Sequence, residues 1–213
     1  MQNGAEATDG ARVRRGAELV EWLRALSDDE ADLEVERMLG IAERTPSPPL
    51  GQHLVGYFAS PAKAVLQAIE HVPIRSSDVV VDLGSGLGKV LLLIHLATGA
   101  RCLGIELQRD VVVRARQAAM RLGIDEREVR FEEADVRDVD EALLRQGTIF
   151  YLFTPFHGPV LDEVLQRLEG IAAERQITIC SLGSDIERGP AGKRAWLKRR
   201  PLDAVWLAIY DSA

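Results

Sequence analysis

Three acidic residues, Asp82, Glu106 and Asp135, and a glycine-rich run after the first of them are the residues best suited to chemistry in this chain. Each acid stands at or just past the end of a stretch that reads as a strand: 79–81 before Asp82, 101–105 before Glu106 and 129–131 before Asp135. Strand ends of a parallel α/β sheet line the edge at which ligands bind. Between the first two acids runs Leu83-Gly84-Ser85-Gly86-Leu87-Gly88-Lys89-Val90. Its glycines allow a tight turn and leave room for a ligand to approach the backbone. The apolar run Leu91-Leu92-Leu93-Ile94 then continues as a helix that Gly99 stops. The free N–H groups at such a helix start face a polar ligand.

Three nucleotide-type ligands use a corner of this kind. A P-loop requires four residues between its first Gly and a Gly-Lys-[Ser/Thr] end; here Lys89 is followed by Val90, and position 83 is Leu83. A dinucleotide fingerprint reads G-x-G-x-x-G. This chain has G-x-G-x-G, and Asp82, two residues before Gly84, would repel a pyrophosphate. An acid there instead suits a cationic ligand without phosphate, such as S-adenosylmethionine (SAM), which carries a sulfonium and an ammonium. Glu106, 24 residues beyond Asp82, is placed to accept from both ribose hydroxyls. Asp135 is placed to accept from the adenine amino group, with Val136 against the ring.

The elements that must position these groups follow from periodicity and turn signals. Leu19, Trp22, Leu23 and Leu26 form one helical face, and Ser27-Asp28-Asp29-Glu30 is a capping box opening a second helix with Val35, Met38, Leu39 and Ala42 on its face. Residues 1–14 are small and polar without apolar periodicity, and 45–51 is a proline-rich linker. Ser60-Pro61 predicts a helix start with Ser60 as N-cap, and Tyr57 and Phe58 just before it could wall the site. A helix over 108–122, strands over 148–153 and 177–182, and a hairpin over 193–210 complete the pattern. The division expected is an extension and linker over 1–50 and a binding domain over 51–213.

The 213 residues suit one domain with an N-terminal extension. A net charge of −7 argues against sequence-independent nucleic-acid binding. No apolar run reaches membrane-spanning length, and Met1-Gln2-Asn3-Gly4-Ala5-Glu6 lacks signal-peptide features, so a cytoplasmic location is expected. Cys102 and Cys180 read as buried free thiols, and no Cys/His spacing suggests a metal. The basic run Lys193, Arg194, Lys198, Arg199 and Arg200 reads as a solvated hairpin face.

The run from Asp82 to Gly88, with Gly104-Ile105-Glu106 and Asp135, resembles the class I SAM-dependent methyltransferases over roughly residues 57–210. Phe156-His157-Gly158-Pro159, with Asp162 and Leu165 beyond, is similar to the non-SET, Dot-type histone lysine methyltransferases and their prokaryotic relatives. The resemblance implies an α/β, Rossmann-like, doubly wound seven-stranded sheet with its last strand antiparallel and SAM as cofactor. It implies cofactor contacts from Asp82, Gly84, Ser85, Gly86, Gly88, Glu106, Leu107, Asp135, Val136 and Phe153. Thr154, His157 and Tyr57 would shape or serve the acceptor end, with His157 the nearest candidate base. Thr154 stands where amino-group methyltransferases commonly present Asn. The expected reaction is methyl transfer to an N or O acceptor, such as a protein lysine or a small metabolite. The rival is a SAM-binding regulatory module without catalysis. The N-terminal helices pack on the core, pair two copies of the chain or cover the site.

Overall fold

Strand β1 (Val79–Leu83) is buried along its whole length, as a central strand covered on both faces must be. In this computed structural model residues 12–41, 53–54, 58–183, 186, 194–203 and 207–213 are described. Around β1 runs a seven-stranded sheet in the order β3-β2-β1-β4-β5-β7-β6. β2 (Arg101–Glu106) and β4 (Ile149–Phe153) pair parallel with β1, β3 (Val129–Glu133) parallel with β2, and β5 (Thr178–Leu182) parallel with β4. β7 (Leu207–Ser212) lies antiparallel to β5, and β6 (Leu197–Arg199) antiparallel to β7. The expected terminal hairpin is present; its second arm continues to Ser212. The strand order reverses between β1 and β4, the topological switch point at which such sheets bind ligands.

Five helices cover one face of the sheet: α1 (Gly16–Ala25), α2 (Asp28–Leu39), α3 (Ala62–His71), α4 (Lys89–Thr98) and α5 (Arg109–Arg121) share a core with Val80, Tyr151 and Cys180. On the other face, the short α6 (Glu141–Leu144) and α7 (Pro159–Ala172) share a core with Val81, Leu83, Phe150 and Leu152. α4 is buried all round from Lys89 to Leu96, which explains why its sequence has no polar stripe. The apolar faces of α1 and α2, through Leu19, Leu23, Val35, Met38 and Leu39, are buried in the first core with α3 and α4, within the same chain.

Of two local expectations, one holds and one changes. Ser27 and Glu30 form the expected capping box, the Ser27 N–H donating to Glu30 Oε2 at 2.9 Å. Ser60, however, does not cap α3. The Ala62 N–H donates to Asp32 Oδ1 of α2 at 2.8 Å, so a distant carboxylate replaces the local hydroxyl. The linker over 45–51, most of the segment 1–14, and Lys193 lie outside the described residues. Burial raises the thiol pKa of both cysteines, that of Cys180 to about 12, so neither is a ready nucleophile.

Gly88 ends the glycine-rich turn as the residue before α4, with φ +81°, and a Cβ there would lie 2.4 Å from Phe131 Cζ. Gly88→Ala should therefore lower the urea midpoint, by about 1–3 kcal/mol of stability. Gly170, in α7 with open space around its Cα, should respond oppositely, Gly170→Ala adding roughly 0.5–1 kcal/mol. A Gly88→Ala protein as stable as the parent would refute this packing.

Candidate active site

The glycine-rich turn curls over the end of β2. The N–H groups of Gly84 and Ser85 both donate to Ile105 O, at 2.9 and 3.0 Å. The Glu106 side chain reaches back to the same turn: Oε2 accepts from the Gly86 N–H at 3.0 Å and Oε1 from the Gln108 N–H at 2.9 Å. Glu106 is 8% exposed and Asp82 3%. Burial, reinforced by the Glu106 charge, holds the Asp82 carboxyl well above the usual carboxylate range. Lys89 is turned toward α2, to Asp32 and Glu36. A cation entering beside Asp82 would offset that penalty.

Two adjoining cavities open along this edge. The larger, of about 310 Å³, is lined by Glu106, Leu107 and Gln108 after β2, by Ala134, Asp135 and Val136 after β3, by 153–156 after β4, and by Leu54, Phe58, Gly84 and Ile105. The smaller, of about 30 Å³, is lined by Asp82, Gly84, Ser85, Gly86, Lys89 and Val90 and by Phe58, Ala59, Ser60 and Phe153. Gly84, Phe58 and Phe153 line both, so the two join at the end of β1. A Cβ on Gly84, which has φ +92°, would meet Pro155 Cβ at 2.4 Å; only glycine lets the loop after β4 close over β1.

Asp135 is held by Arg137, whose Nε donates to Oδ1 at 2.9 Å, Nη2 to Oδ2 at 2.5 Å and backbone N to Oδ1 at 2.9 Å. That hydrogen bonding keeps its carboxyl below the usual range, charged and fixed in orientation. Ser85 Oγ and Gln108 Oε1 are buried with no hydrogen-bond partner among the described residues. Orphaned polar atoms beside a cavity fit a polar ligand that supplies the missing partners. The lining therefore suits a nucleoside with a cationic end: apolar side chains and Asp135 in the larger space, the Asp82 carboxyl in the smaller.

The structure brings together Asp82, Gly84, Ser85, Gly86, Glu106, Leu107, Asp135, Val136, Phe153 and Thr154, as expected. Gly88 stands apart: it lines neither cavity and serves the turn and its packing on Phe131. His157 also lines neither cavity. It is exposed, its N–H donates to His53 O at 3.0 Å, and its Nδ1 lies 3.4 Å from His53 Nδ1. The expected base thus faces another histidine across the Leu54–Phe156 bridge rather than the cavity. Tyr57 lies outside the described residues. Thr154 holds φ +41° and donates its hydroxyl to Leu182 O at 3.4 Å. Sequence reasoning missed Gln108, Leu54 and Lys89. For Lys89 a signal existed: a charged residue heading an all-apolar helix must find partners when buried.

The sequence pattern of the methyltransferase domain family matches residues 74–182, just over half of the chain. The chain belongs to this methyltransferase domain family. An uncharacterized protein of Methanocaldococcus jannaschii is 34% identical over 68 residues, covering 32% of this chain; the chain matches 30% of that relative's length. An RNA methyltransferase from Salinibacter ruber, solved with S-adenosyl-L-homocysteine, is similar with a TM-score of 0.54 at 25% identity, covering 73% of this chain and 92% of that one. A putative methyltransferase from Escherichia coli aligns with a TM-score of 0.55 at 18% identity, over 70% and 86% of the two chains. Geranyl diphosphate C-methyltransferase from Streptomyces coelicolor, with S-adenosyl-L-homocysteine, aligns at 0.52 and 13% identity, over 71% and 79%. The orphaned polar atoms, the buried Asp82 and the cavity past β2 and β3 would fit a cofactor of the SAM type.

The Glu106→Ala methyltransferase should bind SAM at least about tenfold more weakly, because charge-assisted hydrogen bonds contribute about 1.5–3 kcal/mol each. Calorimetry measures this directly, and an unchanged dissociation constant would contradict the role of Glu106 in holding the ligand.

Proposed function

We propose that this methyltransferase transfers the methyl group to an amine nitrogen of a cationic acceptor, a protein lysine before a small metabolite. The observation that carries the reading is Phe58. It is 72% exposed, lines both cavities where they join, and packs edge-on against Phe153 with ring centroids 5.6 Å apart. Aromatic faces attract ammonium groups. The net charge of −7 draws a cationic acceptor in and repels a phosphate backbone.

Within this reading, Asp82 and the glycine-rich turn hold the cationic end of the cofactor, Glu106 its ribose and Asp135 its adenine. When bound, SAM supplies a methyl carbon made electrophilic by its sulfonium. Phe58, Phe153 and Pro155 exclude water and align the acceptor, and alignment alone can supply roughly 7–11 kcal/mol in the best intramolecular cases. The acceptor ammonium must first lose one proton to solvent water; the neutral amine then forms its bond to the methyl carbon as the carbon–sulfur bond breaks, whereas a hydroxyl generally needs a base. His157, turned to His53, is poorly placed to serve a hydroxyl acceptor.

Transfer of labelled methyl to lysate separated into protein, RNA and small-molecule fractions tests the proposal. Label is expected in protein and, after hydrolysis, in methylated lysine; label confined to RNA or to a hydroxyl metabolite would overturn it. Phe58→Ala, assayed at saturating SAM, should lower kcat/KM for that acceptor about tenfold, in line with about 1–2 kcal/mol for a partly desolvated cation–π contact.

A further inference from the structure

Lys89, the first residue of α4, has a side chain only 4% exposed, although it follows the glycine-rich turn at the lip of the smaller cavity. Its Nζ donates to Asp32 Oδ1 at 2.6 Å and to Glu36 Oε1 at 3.0 Å, both from α2. The same Asp32 Oδ1 accepts the Ala62 N–H that opens α3, at 2.8 Å. The residues that lead into α3, Phe58, Ala59 and Ser60, line the smaller cavity together with Gly86 and Lys89. One carboxylate oxygen from the N-terminal extension therefore ties together two segments that line that cavity. Neither Asp32 nor Glu36 lines it.

We propose that Asp32 is a positioning residue for the cofactor: by clamping Lys89 of α4 to the start of α3 it sets the width of the cavity that receives the amino-acid end of SAM. The proposal rests on the reading that this end lies beside Asp82. The clamp is not needed to attach α2, which already buries Ala31, Val35, Met38 and Leu39. Buried ion pairs contribute little net stability because desolvating the charges offsets their attraction. What the triad adds is a fixed distance between two segments that would otherwise meet only through their own packing. The N-terminal helices, absent from the 74–182 stretch shared with the family, thereby become part of the cofactor site.

The test compares SAM with 5′-methylthioadenosine, which keeps the nucleoside and lacks the amino-acid end. Asp32→Ala should weaken SAM binding about tenfold (~1.4 kcal/mol) and leave 5′-methylthioadenosine within about twofold, and Asp82→Asn should shift the same preference. A change in Asp32→Ala that is equal for the two ligands, or no change, while Asp82→Asn discriminates between them, would overturn the role of Asp32 and keep the reading of the cavity. If neither variant discriminates, the reading of the cavity fails, and the proposal with it. Should Asp32→Ala not fold, Asp32→Asn keeps the shape and one acceptor oxygen and is held to the same selective loss, at about threefold.

Discussion

Folding takes the Asp82 carboxyl out of water and sets it near a second acid, Glu106. Most of the site follows from that constraint. A buried carboxyl raised in pKa destabilises the ligand-free fold as pH climbs above its ordinary value of 3.8, because the charged form is disfavoured until a cation arrives. Glu106 is managed differently: two backbone N–H groups and the edge of the turn satisfy it. The fold thus treats two neighbouring acids differently, burying the charge of one and bonding the other to the turn.

Around this pair the fold supplies position rather than chemistry. The parallel strands deliver Asp82, Glu106 and the Asp135 loop to one edge at the switch point between β1 and β4. The loop after β4 closes on Gly84 because no side chain intervenes there. Methyl transfer from a sulfonium asks mainly for alignment and dryness, so an arrangement rich in backbone contacts and aromatic walls matches the demand.

The sheet, most helices and the gathering of ten expected residues around the two cavities were legible in the sequence because each rests on local signals: apolar runs, glycine spacing, and acids just past strands. What was not legible depends on residues distant in the chain. Lys89 meets Asp32 and Glu36 across 57 and 53 positions, and Asp32 replaces Ser60 as the cap of α3 across 30. His157 read as a base because it follows a site strand, yet the bridge between Leu54 and Phe156 places it against His53. Gly88 shares the motif of Gly84 and Gly86, but its φ of +81° and its contact with Phe131 make it a packing residue. α6, four residues long, is too short to leave a periodic signal.

In the proposed site Asp82, whose carboxyl burial holds above the usual carboxylate range, is the counter-charge of the bound cation. Calorimetry of SAM binding from about pH 5 to about pH 7.5, in buffers of differing ionisation enthalpy, tests it most directly. The account predicts release of a proton on binding and an affinity that rises with pH, by up to about tenfold per unit, until the raised pKa of Asp82 is passed; Asp82→Asn should abolish both. Binding without proton release, at an affinity that is flat across that range, would contradict it.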